Sequence, residues 1–194
     1  MKVFGRQISS TISSPASFRA LYERNRLPVF RYIYGLTGGP QDDVEDLTAE
    51  TFLRAWKARH RFDGDLDSAT GWLIRIAKRL VIDAYRRHSS EANHLQSVAE
   101  HQPGDDSPEQ TAIAGEQTRT LKRLLADLPE EQREILVLRY MLGWRVNAIA
   151  SHLGLTENNV SVTIHRTLAR LREDWPDTDS EFLQAFSLQE EKIN

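Results

Sequence analysis

Residues 146–172 read VNAIASHLGLTENNVSVTIHRTLARLR, and this stretch indicates the fold more specifically than any other part of the chain. A small residue, Ala150, is followed by Gly154 four positions later and by an apolar residue, Val160, ten positions later. In a helix-turn-helix these positions hold the close crossing of two helices, the turn between them, and the residue that packs the second helix against the first. Thr156 stands where its hydroxyl would cap the second helix. The pattern predicts helices over 146–153 and from 157 to about 172.

The second of these helices has an apolar inner face and a polar outer face. The inner face, with helical spacing, comprises Val160, Ile164, Leu168 and Leu171. The outer set comprises Asn158, Asn159, Ser161, Val162, His165 and Arg166. The first turns of such a helix can enter a major groove and read base edges, so we predict that this face reads duplex DNA. Any single member is as readily an ordinary surface residue, and the hypothesis therefore concerns the face as a whole.

A third helix precedes this pair. The sequence Asp127-Leu128-Pro129-Glu130 places a side-chain acceptor three residues before a glutamate, with proline in the first turn, which is typical of a helix start. This helix would bury Ile135, Leu138 and Leu142. A further helix, from about residue 108 to 126, is expected to lead into it. Together these helices predict a small helix-turn-helix domain over 119–175.

Charge is unevenly distributed along the 194 residues, although the formal net charge is only −3. Residues 1–90 carry 15 basic and 10 acidic side chains, and residues 119–175 carry nine and seven. Residues 91–118 carry six acidic side chains and no basic one, and residues 176–194 carry five acidic and one basic. Two mildly basic blocks are thus separated by an acidic connector and followed by an acidic tail, so polyanion binding remains open.

The connector also marks a break in composition. It is polar and contains the run Pro103-Gly104-Asp105-Asp106-Ser107-Pro108, which cannot bury enough apolar surface to offset its ordering entropy. We therefore predict an all-α protein of two small helical domains joined by a flexible acidic linker. The expected boundaries are a flexible N-terminus 1–14, a helical domain 15–90, the linker 91–118, the helix-turn-helix domain 119–175 and an acidic tail 176–194.

Three helices are predicted in the first domain. Ser14-Pro15 is typical of an N-cap followed by proline, and the helix that it opens should be kinked or divided at Pro28. The inward residues expected on that helix are Phe18, Leu21, Tyr22, Val29, Ile33 and Leu36. A second helix should run from about 41 to 59, with Val44, Leu47, Thr51 and Ala55 on one side. A third should run from about 70 to 88.

The third of these helices is predicted to be amphipathic and basic. Its inner face should hold Leu73, Ile76, Ala77, Leu80 and Ala84, and its outer face Arg75, Lys78, Arg79, Ile82 and Arg86. Trp72 and Tyr85 flank the basic stripe. Such a stripe fits a nucleic-acid backbone, with aromatic rings available to stack on unpaired bases. A plain solvated helix face is an equally good interpretation of this helix alone.

The second helix is predicted to expose an acidic row. Asp43, Asp46, Glu50, Leu53 and Lys57 share its solvent side, which places one bulky leucine among carboxylates. This combination suggests a basic protein partner with an apolar notch. From physical arguments alone, an exposed face held by salt bridges is the more favoured interpretation.

Two blocks of sequence together resemble a known family. The first block resembles region two of bacterial sigma factors, and it comprises Asp46 to Trp56, Phe62, Gly71 to Ala77 and Asp83 to Arg87. The second block, Leu128 to Arg172, resembles their region four. Because the chain lacks the regions that larger sigma factors carry before and between these blocks, it resembles the extracytoplasmic-function (ECF) subfamily. The resemblance spans roughly 18–87 and 121–173.

The resemblance implies an initiation subunit of RNA polymerase. It assigns Asp43, Asp46, Glu50 and Leu53 to the clamp of core polymerase and region four to contacts with the flap and the minus-thirty-five element. It assigns the melted minus-ten strand to a set comprising Phe62, Trp72, Arg75, Lys78, Arg79 and Arg86. Promoter DNA, core polymerase and an anti-sigma factor are the expected partners. Arg79 departs from an asparagine frequent in the family, and Ser161 and Thr163 from basic residues.

Other functional classes were weighed against this one. A free-standing helix-turn-helix regulator would explain residues 128–172 but would leave the block from Asp46 to Trp56 without a purpose. Enzymes are disfavoured, because the six histidines lack ligand spacing and there is no glycine-rich phosphate loop or nucleophile motif. The absence of cysteine excludes disulfides and thiol catalysis. We expect no cofactor, no metal, no membrane insertion and a cytoplasmic location.

Overall fold

The computed structural model describes residues 12–64, 68–94 and 122–174. Every regular element in these ranges is helical, and the chain divides into two compact units, Met1–Gly104 and Asp105–Asn194. The predicted all-α architecture with two domains is thereby confirmed. The division falls inside the predicted connector, whose residues 95–118 lie outside the described part of the chain, as do residues 1–11 and the tail 176–194.

The first unit packs three helices against one another. They are α1 (Pro15–Thr37), α2 (Gln41–Ala58) and α3 (Ala69–His94), with a short 3-10 turn at Arg59–Arg61. Helix α3 therefore includes residues 91–94, which the sequence analysis placed in the linker. The core of this unit is formed by side chains that α1, α2 and α3 all contribute, among them Leu21, Val29, Tyr32, Ile33, Val44, Phe52, Leu73, Ile74, Leu80 and Val81.

Helix α1 is capped at both ends, and the N-cap at Ser14 is the one that the sequence predicts. The backbone N–H of Ser17 donates to the Ser14 hydroxyl at 3.1 Å, and the two serines form a reciprocal capping box. At the other end Gly38, with a φ of 59°, donates its N–H to the carbonyl of Tyr34 at 2.8 Å. The helix continues through Pro28, so the expected division at this proline is wrong.

The inner faces of the helices differ in detail from the predicted sets. On α1, Phe18 is half-buried and Tyr22 is 39% exposed, because their rings pack edge-on at the rim of the core against Trp56 and Phe52. On α3, Ile76 and Ala84 are half-buried. Ile74 and Val81 are buried instead, since α1 and α2 cover α3 from two sides. On α2, Leu47 is half-buried.

The second unit contains α4 (Glu130–Leu136), α5 (Val146–Leu153) and α6 (Glu157–Glu173), and residues 122–126 before them are also helical. The predicted cap by Asp127 is wrong, because α4 begins at Glu130 with Pro129 at its N-cap and has no side-chain cap. Arg133 of α4 instead donates to the carbonyls of Ala126 and Leu128 at 2.6 and 3.0 Å, and these bonds hold the segment that precedes α4 against the helix.

Helix α4 continues into one wider turn of π type, Val137–Met141. The N–H of Leu142 donates to the carbonyl of Val137 at 3.2 Å, and the buried Arg139 donates to the carbonyl of Trp144 at 3.1 Å. These bonds fix the chain reversal that leads into α5. Leu142, predicted as buried, is half-buried at this reversal.

The helix-turn-helix is confirmed almost residue by residue. Gly154 ends α5 in the left-handed region, with a φ of 73°, and the N–H of Leu155 donates to the carbonyl of Ala150 at 2.9 Å. The Thr156 hydroxyl accepts from the N–H of Asn159 at 3.2 Å and so caps α6. The predicted inner face of α6 is buried in full: Val160, Ile164, Leu168 and Leu171.

Candidate polymerase and nucleic-acid interfaces

An open cavity of about 390 Å³ lies in the first unit where the loop after α2 meets the start of α3. Its lining includes the guanidinium groups of Arg61 and Arg75, the aromatic rings of Phe62 and Trp72, and one carboxylate, of Asp63. The ring centroids of Phe62 and Trp72 are 4.8 Å apart with an interplanar angle of 34°. Flat aromatic surface beside cationic groups is the combination that binds a nucleobase together with its phosphate.

Glycine at position 64 permits this cavity to form. A Cβ atom added there would lie 2.6 Å from Cζ of Phe62 and closer still to the Ser68 hydroxyl oxygen. A side chain at position 64 would therefore force the Phe62 ring or the Ser68 side chain to shift. Gly64 is absent from the predicted site residues, because its close contact with Phe62 shows only in the fold.

The two aromatic residues of the cavity have different environments. Trp72 is half-buried, but Phe62 is only 7% exposed. The assignment of Phe62 to the melted minus-ten strand stays a prediction, and little of its ring is accessible, because the Trp72 ring and Gly64 lie against it. The Phe62 ring packs against the Trp72 ring, and Trp72 has the more exposed ring of the two.

The other basic residues of α3 lie outside the cavity. Arg79 and Arg86 are exposed and Lys78 is half-buried, so they extend a basic surface along the helix from Arg75. Tyr85 is 51% exposed, and its hydroxyl lies 3.4 Å from the carbonyl oxygen of Leu36. The residues predicted to bind the minus-ten strand therefore fall into two groups. Phe62, Trp72 and Arg75 line the cavity, and Lys78, Arg79 and Arg86 lie farther along α3.

The predicted acidic row is present on α2. Asp43 and Asp46 are exposed, Glu50 is half-buried, and Leu53 is 53% exposed. Carboxylates around an exposed apolar side chain favour a basic partner with an apolar recess. Leu53 belongs to this surface and not to the core, as the sequence analysis predicted.

Arg54 connects the acidic row to α3, a link that the sequence analysis missed. Its Nε donates to Oε1 of Glu50 at 2.9 Å, and its Nη1 lies 3.7 Å from Oδ2 of Asp83. The first pair was foreseeable from its spacing of four residues on one helix. The second pair joins residues 29 positions apart in sequence, and no local pattern indicates it.

Helix α6 presents the predicted recognition face. Asn158, Asn159, His165 and Arg166 are exposed, whereas Ser161 and Val162 are half-buried. The exposed members lie on the first three turns of a capped helix whose opposite side is anchored in the core. This is the arrangement in which a recognition helix enters the major groove.

Comparisons with known proteins identify the family. The model described as Sigma-70 region 2 matches residues 21–91, and the one described as Sigma-70, region 4 matches residues 118–171. The ECF RNA polymerase sigma factor SigL of Mycobacterium tuberculosis is 30% identical over 157 residues, which are 81% of this chain and 88% of SigL. This chain belongs to the ECF RNA polymerase sigma factors. The sigma factor is accordingly a transcription initiation factor that binds core polymerase and acts at promoters, and its family is not a family of enzymes.

Solved structures share the sigma factor's fold. CnrH, solved in complex with the cytosolic domain of CnrY, has a TM-score of 0.62 and 24% identity, covering 84% of this chain and 90% of that chain. The sigma factor RpoE of Bartonella quintana, solved with the anti-sigma factor NepR, has a TM-score of 0.57 and 23% identity, covering 81% and 95%. These likenesses support the helical fold.

The match to region two decides between the two candidate functions. A free-standing helix-turn-helix regulator has no use for a second unit that matches region two over residues 21–91, so the alternative is not favoured. In the ranges that the structure describes, no helix of this sigma factor combines the length and the apolar character that crossing a bilayer requires. The first unit is called the region-two unit below, and the second the region-four unit.

Proposed function

We propose that the cavity between Arg61 and Arg75 captures a base of the melted minus-ten strand. In the same proposal the acidic row of α2 holds the protein on core polymerase, and the outer face of α6 reads the minus-thirty-five element. The observation that carries the proposal is the cavity itself, because it joins stacking surface and positive charge in the unit that matches region two.

Capture in the cavity fits the energetics of strand opening. Extruding one base from a duplex costs a few kcal/mol, and stacking on an aromatic side chain returns about 1–3 kcal/mol per base. The free energy of stacking roughly equals the free energy of extruding the base, so a small unit cannot melt DNA alone. Attached to polymerase, it biases an equilibrium that the whole assembly supports. Arg79 and Arg86, which follow the cavity along α3, would contact the phosphates of the same strand.

The acidic row supplies the attachment. Asp43, Asp46 and Glu50 provide negative charge around the exposed Leu53, and the resemblance assigns this face to the clamp of the largest polymerase subunit. The charges would steer the approach and set the register, while the leucine contributes apolar burial. The region-four unit would contact the flap and place α6 in the major groove, with Asn158 and His165 toward the bases and Arg166 toward a phosphate.

The same proposal covers catalysis, location and regulation. The chain performs no catalysis of its own and works in the cytoplasm with core polymerase. CnrH was solved in complex with the cytosolic domain of CnrY and RpoE with the anti-sigma factor NepR, which supports an anti-sigma factor as a further partner of this chain.

Binding of a single-stranded oligonucleotide to holoenzyme tests the capture site. The probe is the non-template strand of the minus-ten element from a promoter mapped by sequencing transcript starts after overproduction of the protein. Trp72→Ala should weaken binding about 5- to 150-fold, which corresponds to the loss of one stacked base. Trp72→Phe, which keeps a ring, should retain most of the affinity.

Leu27→Ala is the control, because it removes an exposed apolar side chain of the region-two unit that lies on α1 and does not line the cavity. It should leave oligonucleotide binding within about two-fold of wild type, a change well below the loss of a stacked base. Equal losses in Trp72→Ala and Leu27→Ala, or none in Trp72→Ala, would refute capture in the cavity.

A further inference from the structure

A buried amide links α1 to the start of α3. Asn25 is 1% exposed on the inner face of α1, one turn from the buried Leu21 and Val29. Its Nδ2 donates to the carbonyl of Leu21 at 2.9 Å, and its Oδ1 accepts from the Thr70 hydroxyl at 2.6 Å. Both ends of the buried amide are thus hydrogen-bonded, to the Leu21 carbonyl within the core and to the half-buried Thr70 at its edge.

The bond to Thr70 acts on the part of α3 that forms the cavity. Thr70 is the second residue of α3, and Gly71 and Trp72, which follow it directly, both line the cavity. The helical bond at this point is long, with Trp72 N lying 3.4 Å from the carbonyl oxygen of Ser68. Because the Thr70 hydroxyl is hydrogen-bonded to Asn25, the first turn of α3 is attached to α1 directly before the residues that line the cavity.

Stability alone does not account for a polar pair at this position. Replacing both partners of a buried hydrogen bond with apolar groups of the same shape is often nearly neutral for folding. A hydrogen bond is directional, whereas apolar contacts allow sliding, so the pair specifies the placement of α3 more than it adds to the free energy of unfolding.

We propose that Asn25 and Thr70 are positioning residues for strand capture, which hold the first turn of α3 so that Trp72 presents its ring to the cavity. This inference rests on the proposed capture function. Neither residue touches DNA in the proposal, and neither lies on the acidic row. Their loss should therefore affect strand capture and leave attachment to core polymerase unchanged.

Thr70→Val is the first test, because valine has nearly the shape of threonine and lacks the hydroxyl. With the minus-ten oligonucleotide as probe, holoenzyme carrying Thr70→Val should bind about five-fold more weakly, the factor that corresponds to one net hydrogen bond. Its affinity for core polymerase should equal that of wild type. Thr70→Ser, which restores the hydroxyl, should recover oligonucleotide binding. Wild-type binding by Thr70→Val would overturn the inference.

The double variant Asn25→Leu, Thr70→Val separates positioning from stability. Thr70→Val alone leaves a buried amide oxygen without its partner, and the double variant removes both polar groups and should recover thermal stability. If oligonucleotide binding stays low in the stable double variant, the positioning role is supported. If binding recovers together with stability, the pair is merely structural and the inference is wrong.

The failure of this inference can be distinguished from failure of the proposed function. Where Trp72→Ala weakens oligonucleotide binding and neither Thr70→Val nor the double variant does, the cavity captures the strand without help from the pair. Where Trp72→Ala itself has no effect, the capture function fails and the inference fails with it.

Discussion

Removing the N-cap of α6 tests how the sequence sets up the recognition face. In the described part of the region-four unit, α4 and α5 lack a side-chain cap, and α6 has one: the Thr156 hydroxyl, 3.2 Å from the N–H of Asn159. Thr156→Ala leaves that N–H without its partner and should destabilise the first turn by about 1 kcal/mol. This corresponds to a factor of about five in the equilibrium between folded and frayed turn.

Amide hydrogen exchange of the full chain measures this fraying directly. Exchange at Asn159 and at Val160, whose N–H bonds the Thr156 carbonyl at 3.1 Å, should rise about five-fold in Thr156→Ala. Exchange in α5 should not change. Because the frayed turn carries Asn158, duplex binding to the minus-thirty-five element should fall by up to about the same factor.

Thr156→Ser, which keeps a hydroxyl acceptor, is the control and should behave like wild type. The reasoning is refuted if Thr156→Ala exchanges at the wild-type rate, or if its duplex binding falls while exchange in the first turn is unaltered.

Three further substitutions test the other surfaces. Glu50→Arg should abolish the binding of core polymerase in a pull-down while the fold is retained. Glu45→Arg, which makes the same charge reversal on α2 outside the acidic row, should leave polymerase binding intact, and equal binding by both variants would count against the acidic row. Arg166→Ala should weaken binding to the minus-thirty-five element and reduce the slope of log affinity against log salt by about 0.9, and an unaltered slope would exclude a phosphate contact. Gly64→Ala should displace the loop from the Phe62 ring and weaken binding of the minus-ten oligonucleotide, while duplex binding through α6 stays at the wild-type level. Undiminished oligonucleotide binding would show that the loop does not shape the site.

Local chemistry made most of the second unit predictable. The glycine at 154, the cap at Thr156 and the spacing of Val160 and Ile164 each act within a few residues, so the sequence alone indicated α5 and α6 to within one residue at each end. The cap at Asp127 was wrong for a local reason as well. Pro129 takes the N-cap position, and Arg133 satisfies the preceding carbonyls.

Contacts between distant residues were not predictable in this way. Asn25 and Thr70 are 45 residues apart, and each looks like an ordinary surface residue in its own helix. Phe62 is buried where Gly64 and the Trp72 ring lie against it, and a side chain at position 64 would disturb this packing. The sequence indicated the residue types of the proposed capture site, and the exposure of each ring depends on contacts that no local pattern predicts.

This sigma factor enables core polymerase to recognise a promoter and to start transcription there. Run-off transcription on a linear template carrying a mapped promoter tests it most directly, with core polymerase alone, core plus the chain, and core plus the Glu50→Arg variant. We expect a discrete transcript from the mapped start in the second reaction and none in the other two. If the wild-type chain binds core polymerase but the reaction yields no transcript, the assigned function is wrong.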